Sequence, residues 1–190
     1  MTIKRMVSIL LGTLGIKVLA IAGVGSFGER LEQARQTEFF RWFQLEETGR
    51  SEKVVHFKPS GEKFRSLVTL NLTIDSKGRL VGAELILSRS FIDSGRDGMF
   101  ARDIAKSFVG IATSAAERST VAGLIAEIEQ PPANMSTTLL VANRPAPKLP
   151  GSPTPGYQVF LGRRQSFLQG AIKLENREMN GVPSLVIARY

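Results

Sequence analysis

The clearest pattern in the chain is a strict alternation. Val68, Leu70, Leu72 and Ile74 are apolar, and the residues between them, Thr69, Asn71 and Thr73, are polar. A period of two puts one set on each face of a strand, as in an antiparallel sheet with one buried and one wet face. Asp75-Ser76-Lys77-Gly78 then makes a turn, with the glycine supplying a positive φ. Leu80 to Arg89 returns as the partner strand, with Ala83, Leu85 and Leu87 on one face. Lys53 to Lys58 adds an earlier strand, set off by Pro59-Ser60-Gly61. Further on, Thr137 to Ala142, Tyr157 to Leu161, Phe167 to Glu178 and Pro183 to Tyr190 read as strands. Asn180-Gly181, between the last two, is a favoured pair for a type I′ hairpin turn.

Other stretches repeat every three or four residues. Phe100, Ile104, Phe108, Ile111 or Ala112, and Ala115 form one helical stripe. Asp93-Ser94-Gly95-Arg96-Asp97-Gly98 ends the sheet before it and caps the helix. Val121, Leu124, Ile125 and Ile128 form a second stripe, stopped by Pro131-Pro132. Upstream, Leu31, Ala34, Phe39, Trp42 and Leu45 predict an amphipathic helix over residues 29–48, closed by Thr48-Gly49. Arg144 to Gly156 holds five prolines and reads as an exposed, stiff loop.

Strands thus come in two runs with helices between them. That order predicts an α+β fold, an antiparallel sheet of about five to seven strands with a long helix packed on one face. The expected organisation is an apolar leader over residues 1–22, the amphipathic helix 29–48, and a single α+β domain 52–190 carrying the proline-rich loop 144–156.

The leader has the layout of a secretory signal. Lys4 and Arg5 precede the apolar run Met6 to Ile16, and Ala20 and Ala22 place small residues where a signal peptidase reads them. Two other readings use the same residues. As a retained anchor, Met6 to Phe27 would be about 33 Å long as a helix, enough for a hydrocarbon core of about 30 Å. Lys17 would then sit near mid-membrane, at about 2.5–3.5 kcal/mol. As a dinucleotide fingerprint, Gly23, Gly25 and Gly28 give G-x-G-x-x-G after an apolar run. The acidic residue expected about 20 residues on, at the end of a second strand, is missing. The candidate strand Val54 to Phe57 ends in Lys58.

Composition changes this picture mainly by exclusion. Of 190 residues, 43% are hydrophobic and 22% charged, an ordinary globular balance. With no cysteine, disulfides, thiolate metal sites and thiol catalysis all drop out. One histidine, His56, leaves no site that needs two imidazoles. The net charge is +8, but beyond the leader the bases are scattered, and Arg163-Arg164 is the one short basic pair there. Nucleic-acid recognition calls for a clustered basic stripe with stacking aromatics, so no nucleic-acid partner is expected. A protein partner or a membrane surface is.

Few residues then carry candidate chemistry. Phe39, Phe40, Trp42 and Phe43 lie within five positions and cannot share one helical stripe. They imply either a broad buried face or a membrane-interface or partner surface. Asp93, Asp97 and Asp103 gather near a helix start, as a carboxylate site or as capping and local ion pairs. His56 falls on the opposite strand face from Val55 and Phe57, the place of a surface histidine. Ser60-Gly61-Glu62-Lys63 matches S-x-x-K without its companion motifs. Asn134-Met135-Ser136 fits a glycosylation acceptor. No cofactor is expected. The expectation is an exported, non-enzymatic module that binds a protein partner or small ligand at the cell envelope. The alternative is a membrane-anchored accessory subunit; a nucleotide-binding enzyme has weaker support.

Overall fold

The computed structural model describes residues 26–129 and 154–190. Two one-turn helices, α1 (Leu31–Arg35) and α2 (Glu38–Trp42), lead into strands β1 (Leu45–Arg50) and β2 (Val54–Pro59). A helical turn, α3 (Glu62–Arg65), precedes β3 (Val68–Ile74) and β4 (Leu80–Ser88). The helices α4 (Arg89–Ile92), α5 (Gly95–Ile111), α6 (Arg118–Glu129) and α7 (Pro155–Phe160) follow. The chain closes with β5 (Ser166–Gln169), β6 (Ile172–Met179) and β7 (Val182–Arg189). All seven strands form one sheet in the order β1-β2-β3-β4-β7-β6-β5. Every pair in it is antiparallel. The fold is α+β, with two meanders joined where β4 pairs with β7.

The alternation in the sequence decides what each face does. Val55, Phe57, Leu70, Leu72, Leu85, Leu87, Leu174, Leu185 and Ile187 are all fully buried in one core cluster. Ala101, Ile104, Ala105, Phe108 and Ala112, the α5 stripe, belong to the same cluster. The long helix therefore covers the apolar side of the sheet. At its start, Gly98 meets α4 so closely that a Cβ there would lie 2.4 Å from the Ile92 carbonyl oxygen.

The predicted helix over 29–48 is corrected. The helix breaks at Thr37, an extended residue that caps α2 and donates its hydroxyl to the Ala34 carbonyl at 2.6 Å. Gln44, at φ 47°, then reverses the chain, and Leu45 pairs with Pro59 as the first residue of edge strand β1. Leu45 continued the helical spacing, but no apolar residue of the stripe follows it. The four aromatics are divided in the same region. Phe39, Phe40 and Phe43 are buried, whereas Trp42 is 55% exposed. Edge-to-face contacts link Phe39 to Phe40 and Phe43, Phe40 to Phe57, and Phe43 to Phe100. Three of the proposed interface residues are thus core, because a one-turn helix packed on the sheet can seat neighbouring rings on a broad face.

Tyr157 to Leu161 is also corrected, from strand to helix. Pro155 stands at the start of α7 behind extended Thr154, and Tyr157, Val159 and Phe160 are buried. The expected strand Phe167 to Glu178 is a hairpin, β5 and β6, turned at Gly170 with φ 58°. Asn180 and Gly181 have φ 52° and 80°, the two positive values a type I′ turn needs. The leader with Ala20 and Ala22, the strand Thr137 to Ala142, Asn134 and residues 144–153 of the proline-rich loop lie outside the described residues. Among the described residues no helix is long and apolar enough to cross a membrane.

One ion pair ties the end of β7 to the turn after α5. Arg189 donates to the Ala112 carbonyl at 3.0 Å and to Glu117 Oε2 at 2.5 Å, and its guanidinium lies 3.6 Å from the Phe27 ring centre. The Glu117 carboxyl is held at about 2, well below the ordinary range, first by Arg189 and then by the Ser114 hydroxyl and amide. A depressed folded-state value contributes stability above the unfolded value, and the contribution fades as pH falls through the folded one. Acid titration of the unfolding free energy should therefore show a loss between about pH 4.5 and 2. In Glu117→Gln that portion of the pH dependence should be absent. Urea unfolding should separate the aromatics: Phe40→Ala should cost about 3–5 kcal/mol and Trp42→Ala no more than about 0.5 kcal/mol.

Candidate functional site

The other face of the sheet is not covered by any of the described helices. Its central residues are nevertheless half-buried, because their side chains lie on one another. His56, Asn71 and Glu84 are direct cross-strand neighbours on β2, β3 and β4. His56 Nδ1 is 2.8 Å from Asn71 Oδ1. Asn71 Nδ2 donates to Glu84 Oε2 at 2.8 Å, and Arg177 from β6 donates to Glu84 Oε1 at 2.5 Å. Four polar side chains from four strands thus form one connected row.

The row determines the state of the imidazole. A carboxylate only accepts, so Asn71 must turn its NH₂ to Glu84 and its carbonyl oxygen to His56. The carbonyl oxygen also only accepts, so the nitrogen facing it, Nδ1, carries the proton. In the neutral ring Nε2 is then the bare lone pair. The side of the ring away from Asn71 leans toward β1, where Gly49 lies beneath Cδ2.

Beside this row is a hollow of about 280 Å³, walled by Val54, Asn71, Thr73, Glu84 and Tyr190. Next to it, Gly82 faces Thr73 across the β3–β4 pair and, having no side chain, leaves that wall residue uncovered. A Cβ on Gly82 would come within 3.0 Å of Thr73 Cβ and Oγ1 and 3.6 Å of the Arg189 carbonyl oxygen. A second hollow, of about 320 Å³, lies at the far end of β6 and β7 near Arg89, Arg177 and Ser184. Both of its arginines are committed: Arg89 to Asp93 at 2.6 Å and Arg177 to Glu84.

The carboxylates proposed from sequence are not brought together. Asp93 pairs with Arg89 at 2.6 Å, Asp97 with Lys63 at 2.8 Å, and Asp103 with Lys106 at 3.0 Å. Each has its own cation, and no metal-holding cluster exists among the described residues. Ser60 and Lys63 also part company, since Ser60 donates to Gln44 and Lys63 pairs with Asp97. Gly61 is the cap of α3, so the tetrapeptide does abut one helical turn. Of the glycine motif, Gly28 is described. It has φ 90° and donates to the Leu80 carbonyl, and the helix after it has five residues. Trp42 is the one member of the aromatic group that stays at the surface.

His56 lies on the face that its spacing predicts, opposite to Val55 and Phe57. Asn71, Glu84 and Arg177 carry no motif in the sequence. Their signal was faint: polar residues on the wet face of alternating strands, whose meeting depends on a register that one strand alone does not reveal. No family model matches the chain, and no curated protein or solved structure shows significant similarity to it.

The hydrogen-bond logic is directly observable. Nitrogen-15 NMR of the imidazole in alkaline solution should show a single tautomer, protonated at Nδ1. Asn71→Ala should release the ring to a mixture. A wild-type spectrum dominated by the Nε2–H form would mean that the row is not connected as described.

Proposed function

We propose that this chain is an exported, non-enzymatic α+β module that recognises a small ligand or a protein partner through the open face of its sheet. One observation carries the reading. The helices occupy one face, and on the other the polar side chains are held by each other, in the row His56–Asn71–Glu84–Arg177. Side chains oriented before contact lose less freedom on binding, which is what a recognition surface gains from such a row. Binding is favoured over turnover because the carboxylates singled out from the sequence are each neutralised locally and point to no shared reacting atom.

The leader supplies the cellular setting of the proposal. A second reading, the anchored accessory subunit, gains from exposed Trp42 beside exposed Arg41, a pair suited to a headgroup region. N-terminal sequencing of chain recovered from fractionated cells separates these readings. A start at Gly23 in the envelope fraction is the expected result. Intact Met1 in the membrane fraction favours the anchor, and intact Met1 in the cytosol overturns export.

A further inference from the structure

The hollow walled by Asn71, Thr73 and Glu84 has a composition that selects a ligand chemistry. Its polar rim is rich in acceptors. Glu84 uses one lone pair on each oxygen, for Asn71 and Arg177, and keeps another on each. Asn71 Oδ1 takes one bond from His56 and can take a second, and the Thr73 hydroxyl both accepts and donates. Next in the row, the His56 lone pair on Nε2 adds a further acceptor. A ligand must therefore bring donors.

Charge narrows the choice. Glu84 is neutralised by Arg177 at 2.5 Å, so the rim does not call for a cation. Arg189, also in the lining, has its guanidinium committed to Glu117 at 2.5 Å, so it does not call for an anion either. Neutral donors are left, and hydroxyl groups are the commonest of these. Val54 and Ala83 give the lining apolar surface, and Tyr190, 81% exposed, adds an aromatic ring. A ring with an apolar body and a polar tip suits a ligand whose own faces are apolar and whose edges are hydroxylated. A volume of about 280 Å³ is at the small end for ligand sites and admits one ring rather than a chain.

We propose that this hollow is a saccharide site, with Tyr190 as the platform, Glu84, Asn71 and Thr73 accepting hydroxyl protons, and Gly82 leaving the Thr73 hydroxyl uncovered. The proposal rests on the reading of the open face as a recognition surface and names its ligand class. Amide NMR of the full chain, titrated with methyl α-D-glucopyranoside and N-acetylglucosamine, tests it. Saturable shifts at Gly82, Thr73 and Glu84 are expected from at least one sugar. Tyr190→Ala, a surface change, should weaken that binding about tenfold. Gly82→Val covers the Thr73 hydroxyl and should abolish it, its folding being checked by the unchanged NMR dispersion of the core. Three results overturn the saccharide site: no sugar shifts these residues, both variants bind as the wild type does, or sugar shifts appear only elsewhere. Saturation at the same residues by ethylammonium or acetate in place of the sugars also overturns it, but leaves the open face as a recognition surface. Export is judged separately, by the N-terminal residue of the recovered chain.

Discussion

The pairing of β4 with β7 is the constraint on which the rest of the fold hangs. It runs from Ala83 opposite Arg189 to Ser88 opposite Ser184, and among the described strands it is the only seam between the two meanders. Because side chains alternate, a slip of one residue along this seam would turn Leu185 and Ile187 out of the core. Two features oppose such a slip. Leu85 and Leu87 face Ile187 and Leu185 under α5, and Arg189 is gripped by Ala112 and Glu117 at the end of the strand. The same seam carries the open face, since Arg177 reaches Glu84 only with β7 correctly set between their strands.

Much of this was legible in the chain. The alternation over Val68 to Ile74 gave the strand, the wet face and the antiparallel partner, and Asn180-Gly181 gave its turn. These are local signals, and local geometry decides them. The failures also have local causes. Residues 29–48 looked like one helix because Leu45 continued the spacing of Trp42, whereas the strand it begins is mostly polar and is held by its neighbour β2. Tyr157 to Leu161 is apolar enough for either element, and Pro155 at a helix start tips it. The candidate site was scarcely legible at all. His56 could be assigned a face, but Asn71, Glu84 and Arg177 come from separate strands, and only the register brings them into one row.

The aromatic residues show how an ambiguous sequence resolves. Phe39, Phe40 and Phe43 enter the core because a broad contact face is available beside β2, and their rings join Phe57 and Phe100 edge to face. Such contacts add about 0.5–1.5 kcal/mol each beyond the area they bury. They hold α2, a helix too short to be stable alone. The membrane-facing reading of this segment shrinks to Trp42.

The two borders of the sheet differ in their defences. On β1, Glu46, Glu47 and Arg50 line the margin, and the register shift at Gly49 breaks its regularity. Charge and irregularity both discourage a foreign strand from adding there. At the opposite border β5 has four residues and no charge among them, and Leu168 is 65% exposed. Its shortness, and the packing of α6 and α7 against it, are its protection among the described residues. Any tendency of concentrated protein to polymerise strand to strand would start from that side, and a lysine in place of Leu168 would be the simplest way to suppress it.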